Sequence, residues 1–282
     1  MVRDALTLTK PKVTGLLTVF GVSAALVADP TTGAPRLALF ALLGAMAAGG
    51  AATLNHVAER DIDGRMQRTR RRPVASGRVS VAAASAFAAL LLAPALVLAL
   101  VLLGPWVAFW MALGAVVYAG LYTHVLKRRS HHSIVIGGAA GSCGALAGWA
   151  LVDPGLAWGA WWMAALVFLW TPPHFWGLAI ARDGDYRAAE VPMLPQVRGI
   201  SVTSRAMLGY ALAALVASLA LAAATPLGVV YTASAAVLGL AFTALTLRLC
   251  LRPDRRLALL AFTMSGLYLL LLLVAVWVDL LM

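Results

Sequence analysis

The sequence predicts an all-α integral membrane protein, nine spanning helices bundled into a single domain over residues 1–282. Three observations lead there. Hydrophobic residues make up 62% of the chain and charged residues 12%, with a mean hydropathy of +0.89; soluble domains carry about 25% charged residues. Apolar runs repeatedly reach the roughly 20 residues that a helix needs to cross a bilayer. Basic residues gather between alternate runs. The in-out alternation of a membrane β-barrel is absent.

The elements follow in order. MVRDALTLTKPKVTG carries Asp4, lacks an Ala-x-Ala cleavage site and leads into a long apolar run, so it is expected to be retained and not a signal peptide. Spans are expected near 13–28, 36–59, 80–103, 106–125, 134–152, 157–181, 204–223, 227–249 and 257–280. Asp29-Pro30 with Gly33, Gly104-Pro105, Asp153-Pro154-Gly155 and Thr225-Pro226 make short turns on one side. The longer loops, 60–79, 126–133, 182–203 and 250–256, lie on the other. Of the 22 basic residues only Arg36 then falls outside the long-loop side, which it shares with the N-terminus. The positive-inside rule thus places the N-terminus in the cytoplasm and Met282 outside. The net charge of +11 reflects this topology, and no nucleic-acid partner is expected. Cys143 and Cys250 lie within or at the end of apolar runs without paired spacing, the pattern of inert thiols.

Acids are not needed for topology, yet eight of the 11 lie on the long-loop side. They cluster at Glu59–Asp63 and Asp183–Glu190, each after an even-numbered span. In NHVAERDIDGRMQRTRRRP (55–73), Asn55, Glu59 and Asp63 recur at every fourth residue and stack on roughly one helical face. Asp61 would point about 160° from Glu59 on a straight helix and joins them only if the helix ends or bends. An amide inside an apolar run needs partners, and Gly49, Gly50, Ala51 and Ala52 leave room around Asn55. Acids at a helix end commonly pair with nearby arginines; here the run Arg68, Arg70, Arg71, Arg72 suits oxygens that hold Mg²⁺ beside a phosphate ester.

Two further stretches complete the candidate site. In FLWTPPHFWGLAIARDGDYRAAEVPMLP (168–195), Pro172 and Pro173 are expected to break the helical hydrogen-bond ladder. His174 follows, flanked by Trp170, Phe175 and Trp176: a helix-to-helix hydrogen-bonding residue, or a ligand for a large planar substrate. Asp185 and Tyr186 face the first cluster if the bundle closes. In YTHVLKRRSHHSIVIGGAAGSCGALAG (122–148), Lys127, Arg128 and Arg129 mark topology, but ahead of a glycine-rich helix they can also set positive charge over the same cavity. His56, His124, His131 and His132 have no ligand spacing and read as ordinary helix-end or loop residues.

Together with LTKPKVTGLL (8–17), these stretches resemble the UbiA-superfamily prenyltransferases in their haem-farnesylating branch. ERDID-x-x-M-x-RT-x-x-RP and TPPHFW…DY…VPMLP are the specific matches; they extend from about residue 8 to 199, and the last three spans match in hydropathy alone. The resemblance implies a nine-helix bundle with its active site near the cytoplasmic face; with no transit peptide in the N-terminal stretch, a bacterial plasma membrane is expected. It implies Mg²⁺ dependence and transfer of farnesyl from farnesyl diphosphate to a vinyl group of haem b, giving the hydroxyethylfarnesyl haem that precedes haem A. Haem A synthase or terminal oxidase assembly factors are the implied partners besides the lipid bilayer. By motif match Asn55, Glu59 and Asp63 are the implied metal residues, Asp61 belongs to the haem-branch version, and Arg68 and Arg72 match the arginines of RT-x-x-RP. The sequence departs where the superfamily's second motif usually has more aspartates: Arg182 and Tyr186 stand there and Asp185 remains, which argues against a second metal. Gly144-Ala145 stands at a usual Pro-Pro, Ser133 at a usual Asn and Glu190 at a usual Gly.

The residue types fit ionisation of an allylic diphosphate, whose leaving charge Mg²⁺ and guanidinium groups neutralise. Asn55, Glu59 and Asp63 are expected to hold the metal. Arg68, Arg72 and one of Lys127 or Arg128 are expected to clamp diphosphate oxygens, and His174 to meet haem iron or a propionate. Prenyl transfer to a quinone-type ring is the alternative within the class. A membrane haem carrier is the alternative outside it, though a carrier has no need of an acidic face beside RTRRRP.

Overall fold

A computed structural model describes residues 2–282, and the described residues are helical with no strand. A short helix α1 (Val2–Leu8) precedes nine helices long and apolar enough to cross a membrane. These are α2 (Pro11–Ala28), α3 (Ala34–Ala58), α5 (Val81–Leu103), α6 (Pro105–Leu126), α7 (Ser133–Ala150), α8 (Trp158–Ala181), α10 (Leu194–Ala224), α11 (Val229–Leu251) and α12 (Arg255–Leu281). Short helices α4 (Arg60–Arg65) and α9 (Asp183–Ala188) follow α3 and α8, so both acidic clusters are helical. Proline opens α2, α3, α6 and α10, where its fixed φ and missing N–H are no loss.

Two packed groups make the bundle. α2 lies against α3 and α7, with α5 on α3 and α6 on α7. α8 lies against α10 and α12, with α11 between those two, and α7–α8 joins the groups. Close approach depends on small residues: a Cβ added at Gly148 would sit 1.9 Å from the Gly21 carbonyl oxygen, so α7 and α2 touch backbone to backbone there. The first and last spans meet through Trp277 Nε1, which donates to Ser23 Oγ at 2.9 Å. Asp279, near the end of α12, accepts from the Val230 and Tyr231 amides and so caps the N-terminus of α11.

Three expectations need correction. Pro172 and Pro173 do not break α8; both are buried inside an uninterrupted helix. Each proline removes one donor, but α10 and α12 grip this stretch, with Trp170 Nε1 donating to the Ser265 carbonyl oxygen at 2.7 Å. The seventh span starts at Leu194, ten residues before the expected 204, because Pro195 opens a helical turn and Gly199, at φ 79°, takes the bend before the apolar run. The fourth span is not uniformly α: its last part, Val116–Leu126, winds as a π-helix, which matters for the site.

Candidate functional site

Asn55 occupies the last turn of α3, and Glu59 forms the break before α4. The break is slight. The Glu59 amide donates to the Asn55 carbonyl oxygen at 2.9 Å and the Asp63 amide to that of Glu59 at 2.7 Å, so the ladder runs on. Asn55, Glu59 and Asp63 therefore line up, each no more than 2% exposed. Asp61 points away as a straight helix requires: it is half exposed and pairs with Arg128, whose guanidinium also donates to the Ala58 carbonyl oxygen.

Each of the three aligned oxygen-bearing side chains meets a cation. Lys127 Nζ lies 2.6 Å from Glu59 Oε2. Arg72 Nη1 donates to both Asp63 oxygens, at 2.8 and 2.7 Å. Lys10 Nζ donates to Asn55 Oδ1 and, at 3.0 Å, to the Tyr118 hydroxyl. The Asn55 amide nitrogen donates onward to Glu59 Oε1 at 2.7 Å and to Thr123 Oγ1 at 3.0 Å. Burial alone would raise the Glu59 carboxyl, but Lys127 and Lys10 hold it below its ordinary range. Lys10 is lowered to about 7, by burial first and by repulsion from Arg72 second. The Arg128 hydrogen bonds keep Asp61 well below the usual carboxylate range.

Lys10, Tyr118 and Thr123 were not among the expected site residues. A lysine before a proline at the mouth of a span looks like any topology-setting charge. Tyr118 and Lys127 stand nine residues apart, which puts them about 180° from each other on an α-helix. The π winding makes nine residues roughly two turns, so both face the same side. Thr123 Oγ1 donates to the Tyr118 carbonyl oxygen five residues back, and Tyr118 and Tyr122 stack with ring centroids 5.9 Å apart. A wide helical turn was the one signal available, and no sequence periodicity announces it.

The remaining expected residues divide. Asp185 reaches the loop that follows the first cluster, not its carboxylates, its Oδ1 accepting from the Gln67 backbone N–H at 3.1 Å. Tyr186 is buried under it beside Ile62 and Met66. Arg68 is exposed and makes no ion pair among the described residues. His174 lies in a separate aromatic nest, stacked on Trp170 at 4.4 Å and beside Phe262, with Nδ1 2.7 Å from Ser265 Oγ. Cys143 and Cys250 are free thiols.

Among the described residues no three His, Cys, Asp or Glu side chains converge as a metal-ligand group. Two carboxylates and one amide oxygen do line up, and their hard-oxygen chemistry fits Mg²⁺, which is commonly held by one or two carboxylates together with substrate phosphates. The lysines and arginine now on those oxygens are of the kind that binds phosphate. The arrangement can therefore take a metal ion and a polyanion together, exchanging internal ion pairs for external ones.

The UbiA prenyltransferase family profile matches residues 15–271. A protoheme IX farnesyltransferase of Synechococcus elongatus is 45% identical, the match covering 96% of this chain and 86% of that one. One of Thermus thermophilus is 43% identical over 98% of this chain but 46% of its own, so this chain spans about half of that longer relative. Among solved structures, a digeranylgeranylglyceryl phosphate synthase superposes with a TM-score of 0.81 at 18% identity, covering 99% of this chain and 98% of that chain. A UbiA homolog from Archaeoglobus fulgidus bound to GPP and Mg²⁺ superposes with a TM-score of 0.69 at 14% identity, covering 99% and 100%. At those identities the two structures speak for the fold.

Proposed function

Because the chain belongs to the UbiA prenyltransferase family, we infer that this membrane protein transfers the farnesyl group of farnesyl diphosphate to a vinyl group of protohaem IX. The observation that carries the reading is the row of buried oxygens on Asn55, Glu59 and Asp63, faced by Lys10, Lys127 and Arg72 at the end of an apolar bundle. Solvated acids at a helix end would not be buried, and a haem carrier would not need them.

Asn55, Glu59 and Asp63 would hold Mg²⁺, directly or through water. When bound, the ion supplies positive charge against the leaving diphosphate. Arg72 and Lys127, released from the carboxylates, donate to diphosphate oxygens; Arg68, unpaired and close in sequence, adds a third donor. The allylic C–O bond breaks and its electron pair leaves with diphosphate. The vinyl π pair then attacks the farnesyl cation, and the new cation beside the porphyrin is captured by water, which loses a proton to solvent. No strong base is required. His174 is the residue we assign to the haem iron or a propionate, although here its Nδ1 pairs with Ser265 Oγ across α8 and α12, the helix-to-helix role. The second acidic segment adds Asp185, engaged with Gln67, and no further aspartate beside it at the site, which favours one metal ion over two. Basic residues crowding one end support placing that end, with the N-terminus, on the cytoplasmic side; the bacterial homologues support a bacterial plasma membrane, and the place before haem A formation belongs to the haem-farnesylating reading.

The test uses membranes containing the protein, haem b, farnesyl diphosphate and Mg²⁺, with and without EDTA, followed by chromatography and mass determination of the pigment. The expected product is a haem heavier by one farnesyl group and one hydroxyl, lost with EDTA. Unchanged haem b alongside prenylation of a quinone-type ring would replace the acceptor. No prenylated product from any acceptor would leave the carrier reading.

A further inference from the structure

Lys10 is built into the site in a way that its neighbours do not require. It stands between α1 and α2 in left-handed backbone geometry, φ 49° and ψ 62°, a conformation that strains a non-glycine residue. That geometry turns its side chain inward, onto Asn55 Oδ1 and the Tyr118 hydroxyl. Lys12, two residues on, is exposed. Glu59 and Asp63 already have a cation each in Lys127 and Arg72, so Lys10 is a surplus positive charge.

The amide orientation follows from the protonated form of Lys10. Its ammonium has only donors, so it faces Oδ1, and ionised Glu59 accepts only from the amide nitrogen. Lys10 therefore occupies the oxygen that a metal ion would take from Asn55. With Lys10 protonated, two carboxylates facing three cations leave one net positive charge. A divalent ion arriving alone adds two more and must displace the ammonium from Oδ1. A divalent ion arriving with an allylic diphosphate, which carries three negative charges when fully ionised, cancels the surplus and offers the ammonium a new oxygen.

We propose that Lys10 is an internal counter-ion that couples metal and diphosphate binding, keeping the metal off Asn55 until the diphosphate is present. The proposal rests on the prenyl-transfer reading above. Coupling is reciprocal: the factor by which diphosphate raises metal affinity is the factor by which the metal raises diphosphate affinity, and removing Lys10 should lower both. A lysine serving only the fold would, on removal, weaken both ligands or neither.

The experiment measures Mn²⁺ binding by EPR to purified protein, with and without farnesyl S-thiolodiphosphate as a slowly ionising analogue. The variants are Lys10→Met, Lys10→Asn and the exposed control Lys12→Met. Lys10→Met is expected to bind Mn²⁺ alone about tenfold more tightly than wild type, within the usual range of coupling between sites. The enhancement of Mn²⁺ binding by the analogue should then be about tenfold smaller than in wild type, with Lys12→Met matching wild type. Lys10→Asn carries the same expectation and covers poor folding of Lys10→Met, since asparagine accepts the left-handed region but is too short to reach Asn55. Folded variants that bind Mn²⁺ alone no better than wild type overturn the proposal and leave the prenyl-transfer reading standing. Failure of both variants to fold makes Lys10 a structural counter-ion and overturns it too. Wild-type protein that binds no analogue in the presence of Mn²⁺ removes the reading and the proposal together.

Discussion

At Glu59 a carboxylate 1% exposed sits 2.6 Å from Lys127, whose side chain is 13% exposed, whereas Asp61, two residues on, pairs with Arg128 in solvent. The same ion-pair chemistry thus has different weights. Glu59→Gln leaves a largely shielded ammonium without its counter-ion, and such losses approach the ~3–5 kcal/mol of a fully buried pair. Asp61→Asn removes a half-exposed pair worth about 0–1 kcal/mol. Thermal unfolding in detergent should show a lower midpoint for the first and little change for the second; equal midpoints would mean that water reaches Glu59. Asp63→Asn is expected to lower turnover by about a hundredfold or more, the scale of removing one electrostatic stabiliser, with the protein still inserted and folded. Full activity in that variant would take Asp63 out of the metal site.

At the scale of elements, glycine placement decides which helices can touch. A Cβ at Gly148 would fall 1.9 Å from a backbone oxygen of α2, which cannot swing aside as a side chain can, whereas one at Gly144, a turn earlier on α7, would meet nothing within 4 Å. Gly148→Ala should therefore yield little monodisperse protein by detergent size-exclusion chromatography, and Gly144→Ala should match wild type. Similar yields would show that α2 and α7 can separate at no great cost. The π-wound end of α6 carries the other element-level decision, because Tyr118 and Lys127 reach one site only through that winding. Gly137 leaves room for it: a Cβ there would stand 2.6 Å from the Tyr122 ring.

At the scale of the whole molecule, basic residues at one end and short Asp, Pro and Gly turns at the other predict orientation. A reporter fused after Met282 should be active as alkaline phosphatase and dark as a cytoplasm-dependent fluorescent protein, since an odd number of spans separates the ends. The reverse pattern would invert the bundle and move the acidic clusters away from cytoplasmic farnesyl diphosphate.

Span number, the one-sided distribution of charge and the alignment of Asn55, Glu59 and Asp63 were all legible in the sequence, because hydropathy, charge and a four-residue spacing are local properties of the chain. The family resemblance was legible for the same reason, in contiguous motifs. Tertiary structure alone decided that α8 runs unbroken through Pro172 and Pro173, that Asp185 meets Gln67, and that Lys10 and Tyr118 close on Asn55. Lys10 and Asn55 are 45 residues apart, and Tyr118 lies 108 from Lys10. Their meeting depends on packing between helices and on a π turn, both set by how neighbouring side chains fill space rather than by the order of residues along any one helix.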